Sequence, residues 1–219
     1  MKHIAVIIAA TSVALVACGP SEAEIAEQKR KAYEDSLATV ASMERRVDVD
    51  AAASQLEWKG TMLGIKAHYG TVALADAKLV VKGPSVVAGG FVVDLNTITP
   101  KDTLYAPDES NQGTRAQLVG HLQSPDFFDV ANHPTASFEI TRQEGNTLYG
   151  NLTVRGVTHE EKVTDVVVNE ENGQVTATGT LTFDRQKYGV SWSSGVKDAV
   201  LSDDIEVKVT IVGTIANEA

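Results

Sequence analysis

Thr135-Ala136-Ser137-Phe138-Glu139-Ile140-Thr141 decides the fold. Read as extended chain, it sets Ala136, Phe138 and Ile140 on one face and Thr135, Ser137, Glu139 and Thr141 on the other, the period-two pattern of a strand that buries a single face. The pattern recurs outward from there. Leu148, Gly150, Leu152 and Val154 oppose Tyr149, Asn151, Thr153 and Arg155; Val175, Ala177, Gly179, Leu181 and Phe183 oppose a row of threonines ending in Asp184; Ile205, Val207, Val209 and Ile211 oppose Glu206, Lys208 and Thr210. Lys82-Gly83-Pro84, Glu144-Gly145-Asn146 and Glu171-Asn172-Gly173 supply turns between the runs, so successive strands are joined by short connections and run antiparallel. About eight strands of this kind close into an up-and-down barrel or stack as a sandwich, and periodicity leaves both open. Residues 118–132 break the alternation. They are too long and too mixed for a tight turn, and Leu118, Leu122, Phe127 and Phe128 predict a short helix or lid.

Ahead of the strands the composition changes. Residues 18–50 are crowded with charge, including Glu22, Glu24, Glu27, Lys29, Arg30, Lys31, Glu34 and Asp35, and nothing in them reads as strand. Ser21 precedes Glu24 at capping-box spacing, and Ile25, Ala32, Leu37, Val40 and Met43 make only a thin apolar stripe, which predicts a solvated helix or flexible tether. Sustained heptads, the mark of a partner-binding coiled coil, are missing. Residues 1–17 read as a signal peptide: Lys2 is the positive end, residues 4–16 are apolar apart from Thr11 and Ser12, and Leu15-Val16-Ala17-Cys18 follows. Ordinary cleavage before Cys18 would place the bulky Leu15 where a small residue is needed. The tetrapeptide instead resembles the bacterial lipobox, which implies a lipidated Cys18 and a membrane-anchored lipoprotein. Gly19 is not the Asp that commonly holds such proteins in the inner membrane, so the expected site is the outer membrane, facing the periplasm.

The whole chain, 219 residues and 43% apolar, suits one domain with a real core. A net charge of −10 argues against nucleic acid, whose binding depends on Lys and Arg replacing counterions. Beyond the leader no apolar run approaches the roughly 20 residues of a membrane-spanning helix. A single Cys excludes an internal disulfide framework and a thiolate metal cluster.

His121-Leu122-Gln123-Ser124-Pro125-Asp126-Phe127-Phe128-Asp129, followed by His133-Pro134-Thr135-Ala136-Ser137-Phe138, resembles the signature of the YceI family. Residues 150–158, Gly-Asn-Leu-Thr-Val-Arg-Gly-Val-Thr, and 183–190, Phe-Asp-Arg-Gln-Lys-Tyr-Gly-Val, are similar to two later family blocks and come in the same order; residues 89–98 resemble the strand before the signature. The likeness spans roughly residues 54–213. It implies an all-β, extended lipocalin-like antiparallel barrel of about eight strands over residues 51–219, with a lid around 118–132, holding a polyisoprenoid, an isoprenoid quinone or a fatty-acid derivative. Many family members carry Arg-Asp before His-Leu; here Val119-Gly120 stands there, so no polar contact is carried over from that pair.

The expected lining combines the inward strand faces with the lid: Phe91, Val93 and Leu95; Phe127 and Phe128; Phe138 and Ile140; Leu152 and Val154; Leu181 and Phe183; Val207 and Val209. Gly89, Gly90, Gly150, Gly179 and Gly189 either leave room for a chain or mark bulges and bends. Trp58 and Trp192 read as core or rim packing. His68 and His159 read as solvated turn residues. His121, Asp126, Asp129 and His133 hold metal-ligating atoms within a short span, but their spacing matches no zinc template and loop caps explain them. Ser194-Gly195-Val196-Lys197 fits a bare S-x-x-K pattern without its companion blocks. Neither a catalytic group nor a cofactor is expected. Two other readings stay open: a filled barrel acting as an envelope interaction protein, and an enzyme acting on an isoprenoid or quinone. Self-association as a homodimer is also left open.

Overall fold

The structure, a computed structural model, describes residues 21–63, 66–192 and 200–216. The leader, Cys18 and the S-x-x-K pattern lie outside the described residues. Helix α1 (Glu22–Ser42) is exposed along its whole length. Its start is the capping box expected from the sequence: the Glu24 N–H donates to Ser21 Oγ at 3.3 Å, and the Ser21 N–H donates to the Glu24 carboxylate at 2.7 Å. Arg30 bonds Glu27 and Glu34 one turn either way.

Among the described residues nine strands follow: β1 (Arg45–Val49), β2 (Gln55–Leu63), β3 (Lys66–Lys82), β4 (Ser85–Pro100), β5 (Thr135–Glu144), β6 (Thr147–Val154), β7 (Val157–Glu171), β8 (Gln174–Asp184) and β9 (Val200–Ile215). They form one antiparallel sheet in the order β1-β3-β2-β9-β8-β7-β6-β5-β4, and β4 returns to pair with β3, so the sheet closes into a barrel and the sandwich is excluded. Closure leaves no open edge among β2 to β9. Arg45–Val49, counted with the tether on sequence, is part of the wall. Val47 sits opposite Leu79 of β3 and Ile215 of β9, while Leu56 of β2 sits opposite Val72 and Val209 of the same two strands. β1 and β2 therefore share one position in the barrel, interrupted by a turn in which the Asp50 carboxylate accepts the Ala52 and Ala53 N–H groups.

Alternation along each strand sends apolar side chains inward, and they fill the barrel unevenly. At the end closed by β1, Val47, Val81, Val86, Leu148, Val175 and Ile211 are buried against one another. Each such side chain contributes roughly 1.5–3 kcal/mol by leaving water. Phe138 tops this packed half. Its ring stacks on Phe91 at 5.6 Å and lies over Gly150, where an added Cβ would come within 2.5 Å of the ring. Gly150 thus makes room for a phenylalanine. Gly89 and Gly90 let neighbouring backbone approach to 2.0 and 2.4 Å of a would-be Cβ, and Gly179 faces Val163, so these are close-packing positions of the sheet.

The other end is built differently. Between β4 and β5 the chain leaves the wall for residues 101–134, which include α2 (Arg115–Gln123). The helix starts three residues before the expected lid. Thr114 caps it through a full capping box with Gln117, and Leu122, Phe127 and Val130 turn down into the core. Arg155 pins the segment from the β6–β7 turn by donating to the Pro125 carbonyl at 2.8 Å and to that of Phe127.

Candidate functional site

Under this lid the barrel is hollow. A cavity of about 240 Å³ extends from the α2 segment down to the level of Phe91 and Leu152. Its wall includes Phe91, Val93 and Leu95 of β4, Leu152 and Val154 of β6, Leu181 and Phe183 of β8, Val207 of β9, and Phe127 and Phe128 of the lid. Three residues expected there are placed elsewhere. Phe138 and Val209 are buried below the cavity at 1% and 7% exposure, and Ile140 packs against the core one step further down β5. Between Ala136 and Ile140 the inward face of β5 is continuous, but only its lid-proximal part borders open space.

Trp58 and Trp192, read as packing residues, both border the cavity, and so do Leu56, Met62, Ile98 and Ile205. The Trp58 indole N–H donates to the Thr71 carbonyl at 3.2 Å, which fixes the ring on the cavity wall. Among the glycines, Gly60 reaches the wall; the five singled out on sequence do not.

The metal-ligating atoms of the lid are not gathered. Asp129 accepts the Asn132 amide, and His133 lies against Gly156. His121 turns into the cavity, edge-on to Trp192 at 4.7 Å and to Phe127 at 5.5 Å. Its Nε2 is buried without a hydrogen-bond partner, and burial pushes the imidazole pKa down against a weaker opposite pull from Asp126. Among the described residues no three His, Cys, Asp or Glu side chains are placed to hold a metal.

His68 differs most from its sequence reading. It lies on β3 with its ring on the cavity wall, two residues from Lys66, which borders the same space. Behind it is Asp102, whose side chain is 2% exposed. Each carboxylate oxygen is 3.2 Å from His68 Nδ1; the Tyr105 hydroxyl donates at 2.5 Å, the Leu104 N–H at 3.2 Å and the Tyr69 N–H at 3.4 Å. Burial pushes the Asp102 carboxyl up, but the bonds from Tyr105, Leu104 and His68 and the charge of His68 outweigh it, so the carboxyl is held below its ordinary range. The Tyr105 phenol, half-buried and facing that carboxylate, is raised and keeps its proton. It stacks on His68 at 5.3 Å and carries the Arg115 guanidinium at 5.1 Å on its ring. His159, also read as a turn residue, is on β7 and bonds the Lys187 carbonyl.

The far side of the mouth is held by Arg185, in the 3₁₀ turn Arg185–Tyr188 after β8. At 3% exposure its guanidinium donates to the Ser202, Leu201 and Val190 carbonyls and to Asp203. Those bonds seat residues 185–190 on the start of β9, next to Trp192.

Residues 48–213 match the YceI-like domain. A UPF0312 protein of Staphylococcus epidermidis is 26% identical over 159 residues, covering 69% of this chain and 86% of its own length. BcnA of Burkholderia cenocepacia shares the fold with a TM-score of 0.59 at 19% identity, over 76% of this chain and 100% of that one. A domain of Saccharophagus degradans described as polyisoprenoid-binding has a TM-score of 0.52 at 12% identity, over 80% and 100%.

Proposed function

The chain belongs to the YceI-like domain family, and from that premise we propose that it binds one long apolar chain, a polyisoprenoid, an isoprenoid quinone or a fatty-acid derivative, in the hollow half of its barrel. The observation that carries this reading is the cavity itself: roofed by a lid, walled mainly by aromatic and aliphatic side chains, and bordered by no carboxylate among the described residues. The polyisoprenoid binding ascribed to the Saccharophagus domain supports the ligand class. At about 240 Å³ the space exceeds the ~150 Å³ that admits benzene and falls short of the ~300–1,000 Å³ of common ligand pockets. It therefore takes the terminal part of a long chain, the remainder leaving through the mouth. Each methylene buried contributes about 0.8 kcal/mol, so about ten of them supply roughly 8 kcal/mol before the cost of association. The protein acts as a carrier or store without catalysis. It works in the cell envelope, anchored through a lipid on Cys18, with residues 18–50 as tether and the outer membrane facing the periplasm as its site.

The test is lipid extraction and mass spectrometry of the protein purified from a bacterial envelope, beside native mass spectrometry of the intact complex. A stoichiometric long-chain species released on denaturation is expected. An empty barrel that also refuses added chains overturns the reading in favour of an interaction protein. For the anchor, Cys18→Ala is expected to move the protein from the membrane to the soluble fraction; an unchanged distribution overturns it.

A further inference from the structure

We propose that the lid end of the barrel docks on a phospholipid bilayer, with Tyr69 and Leu104 entering the membrane surface and Lys101 and Arg115 meeting lipid phosphates. The proposal rests on the reading of the cavity as a chain-binding site and names the partner from which the chain is taken and to which it returns.

On the strands and lid, four large apolar side chains are exposed among the described residues: Tyr69, Leu104, Val157 and Val167. Three of them are at the lid end. Val157 opens β7 beside the Arg155 turn that bonds the lid. Tyr69 and Leu104, at 50% and 52% exposure, come from two different segments and are brought together by one buried residue. The Asp102 carboxylate accepts the Tyr69 N–H at 3.4 Å and the Leu104 N–H at 3.2 Å. Since His68 and Tyr69 are consecutive on β3, a His68 ring on the cavity wall sets the Tyr69 ring outside, next to the cavity but not in it. Val167 lies further along β7, past Val163, which is paired with Leu148 of the packed half.

Two cations frame the apolar pair. The Lys101 N–H donates to the Tyr69 carbonyl at 2.8 Å, and the Arg115 guanidinium donates to the Asp102 carbonyl at 3.2 Å. Both side chains are exposed, and neither has an ion partner among the described residues. Asp108 and Glu109 stand in the turn past Pro107. A phenol and a leucine flanked by Lys and Arg are the side chains that suit a bilayer surface: the ring and aliphatic carbons leave water while the charged heads reach the phosphates.

The cavity decides for a bilayer over a protein partner. It houses only the terminal part of a long chain, so the remainder must lie in an apolar phase next to the lid end. A bilayer supplies that phase, the phosphates and the chain itself, and a protein surface supplies at most the first two. The face is also clear of the tether, because β1, to which residues 18–44 lead, belongs to the packed end.

The experiment uses the mature chain, residues 18–219, with Cys18→Ser, so that no anchor contributes and one introduced cysteine carries an environment-sensitive dye. The dye is placed at Thr103→Cys, beside the apolar pair, or at Val167→Cys, equally open but in the packed half. Vesicles of phosphatidylethanolamine and phosphatidylglycerol at 3:1 are expected to shift the emission at 103 to the blue and leave that at 167 unchanged. Leu104→Asp, in the Thr103→Cys chain, is expected to need about fivefold more lipid for half the shift, the factor that the exposed half of a leucine accounts for on leaving water. Tyr69→Ser is expected to act in the same direction. Both variants keep the urea midpoint and the binding of dodecanol, read from Trp58 and Trp192 emission, because the substituted side chains lie outside the cavity. No shift at 103, an equal shift at 167, or a shift at 103 that appears without vesicles as the protein is concentrated overturns the proposal; the last would assign the face to a second copy. In each case dodecanol binding shows that the cavity reading stands. A chain that takes up no dodecanol overturns that reading, and this proposal with it.

Discussion

Phe138 separates the solid half of the barrel from the hollow half, and truncating it tests both descriptions at once. Its ring is 1% exposed and lies between Phe91 and Leu152, its cross-strand neighbours and both part of the cavity wall. Phe138→Ala removes that ring. Below it Gly150 has no side chain with which to close the gap, and the sheet cannot contract without breaking its ladder, so relaxation is slight and the cost falls in the upper part of the usual range, about 4–5 kcal/mol. For a chain of this size each kcal/mol lowers Tm by about 2–4 °C, giving a fall of about 8–20 °C by calorimetry. The same change deepens the cavity. Two further methylenes housed where the ring stood contribute about 1.6 kcal/mol, roughly fifteenfold in affinity. In a series of alcohols of rising length, the variant's optimum therefore moves to longer chains. A loss below about 1 kcal/mol would show that the ring is not a packed floor. An unmoved length optimum would show that the void does not join the cavity.

Three other outcomes follow from polar contacts. Arg185→Met leaves the buried Val190 carbonyl and the part-buried Ser202 and Leu201 carbonyls without their shared donor and is expected to cost about 2–3 kcal/mol, read as a lower urea midpoint with unchanged slope; a change under about 1 kcal/mol would mean that these carbonyls find water. Thr114→Ala removes the capping oxygen of α2, costs about 1 kcal/mol, and speeds hydrogen exchange of the Gln117 amide more than that of β6 amides; equal effects would refute a local role. Asp102 has its pKa held below the ordinary 3.8, so its contribution is complete above that value and is lost as the pH falls through the lower, folded one. Asp102→Asn is accordingly expected to destabilise the protein at about pH 7 and to flatten its acid limb below about pH 4, measured as urea midpoints against pH; a stability difference independent of pH would refute the assignment.

The barrel was legible because alternation such as 135–141 and 175–183 is a direct record of one buried face. Other features were hidden for physical reasons. β1 carries a single buried side chain, Val47, between arginines and aspartate, too little for a period to register. The start of β3 reads as a turn because its inward positions are Lys66, His68 and Gly70, which break the apolar pattern where the chemistry sits. His68 and Asp102 are 34 residues apart and meet because the segment after β4 folds back over β3, a contact no local window contains. Alternation tells in from out but says nothing about position along the axis, so the sequence alone does not separate Phe138, Ile140 and Val209 from the residues that border open space. The paired His-Leu and Phe-Phe of the lid did mark the roof of the cavity, since Leu122 and Phe127 can bury themselves only by turning down into the barrel mouth.

Dividing the barrel into a solid and a hollow half also divides the demands that natural selection places on it. Substitutions around Val81, Val86 and Val175 are weighed by whether the chain folds, whereas those around Leu95, Leu118 and Trp192 alter the shape offered to a guest while the packed half continues to hold the sheet closed. A lineage of such proteins can therefore exchange one cargo for another by a few changes under the lid without first acquiring spare stability. Sequence drift should accordingly be slow toward β1 and fast toward the mouth, a gradient along the barrel axis.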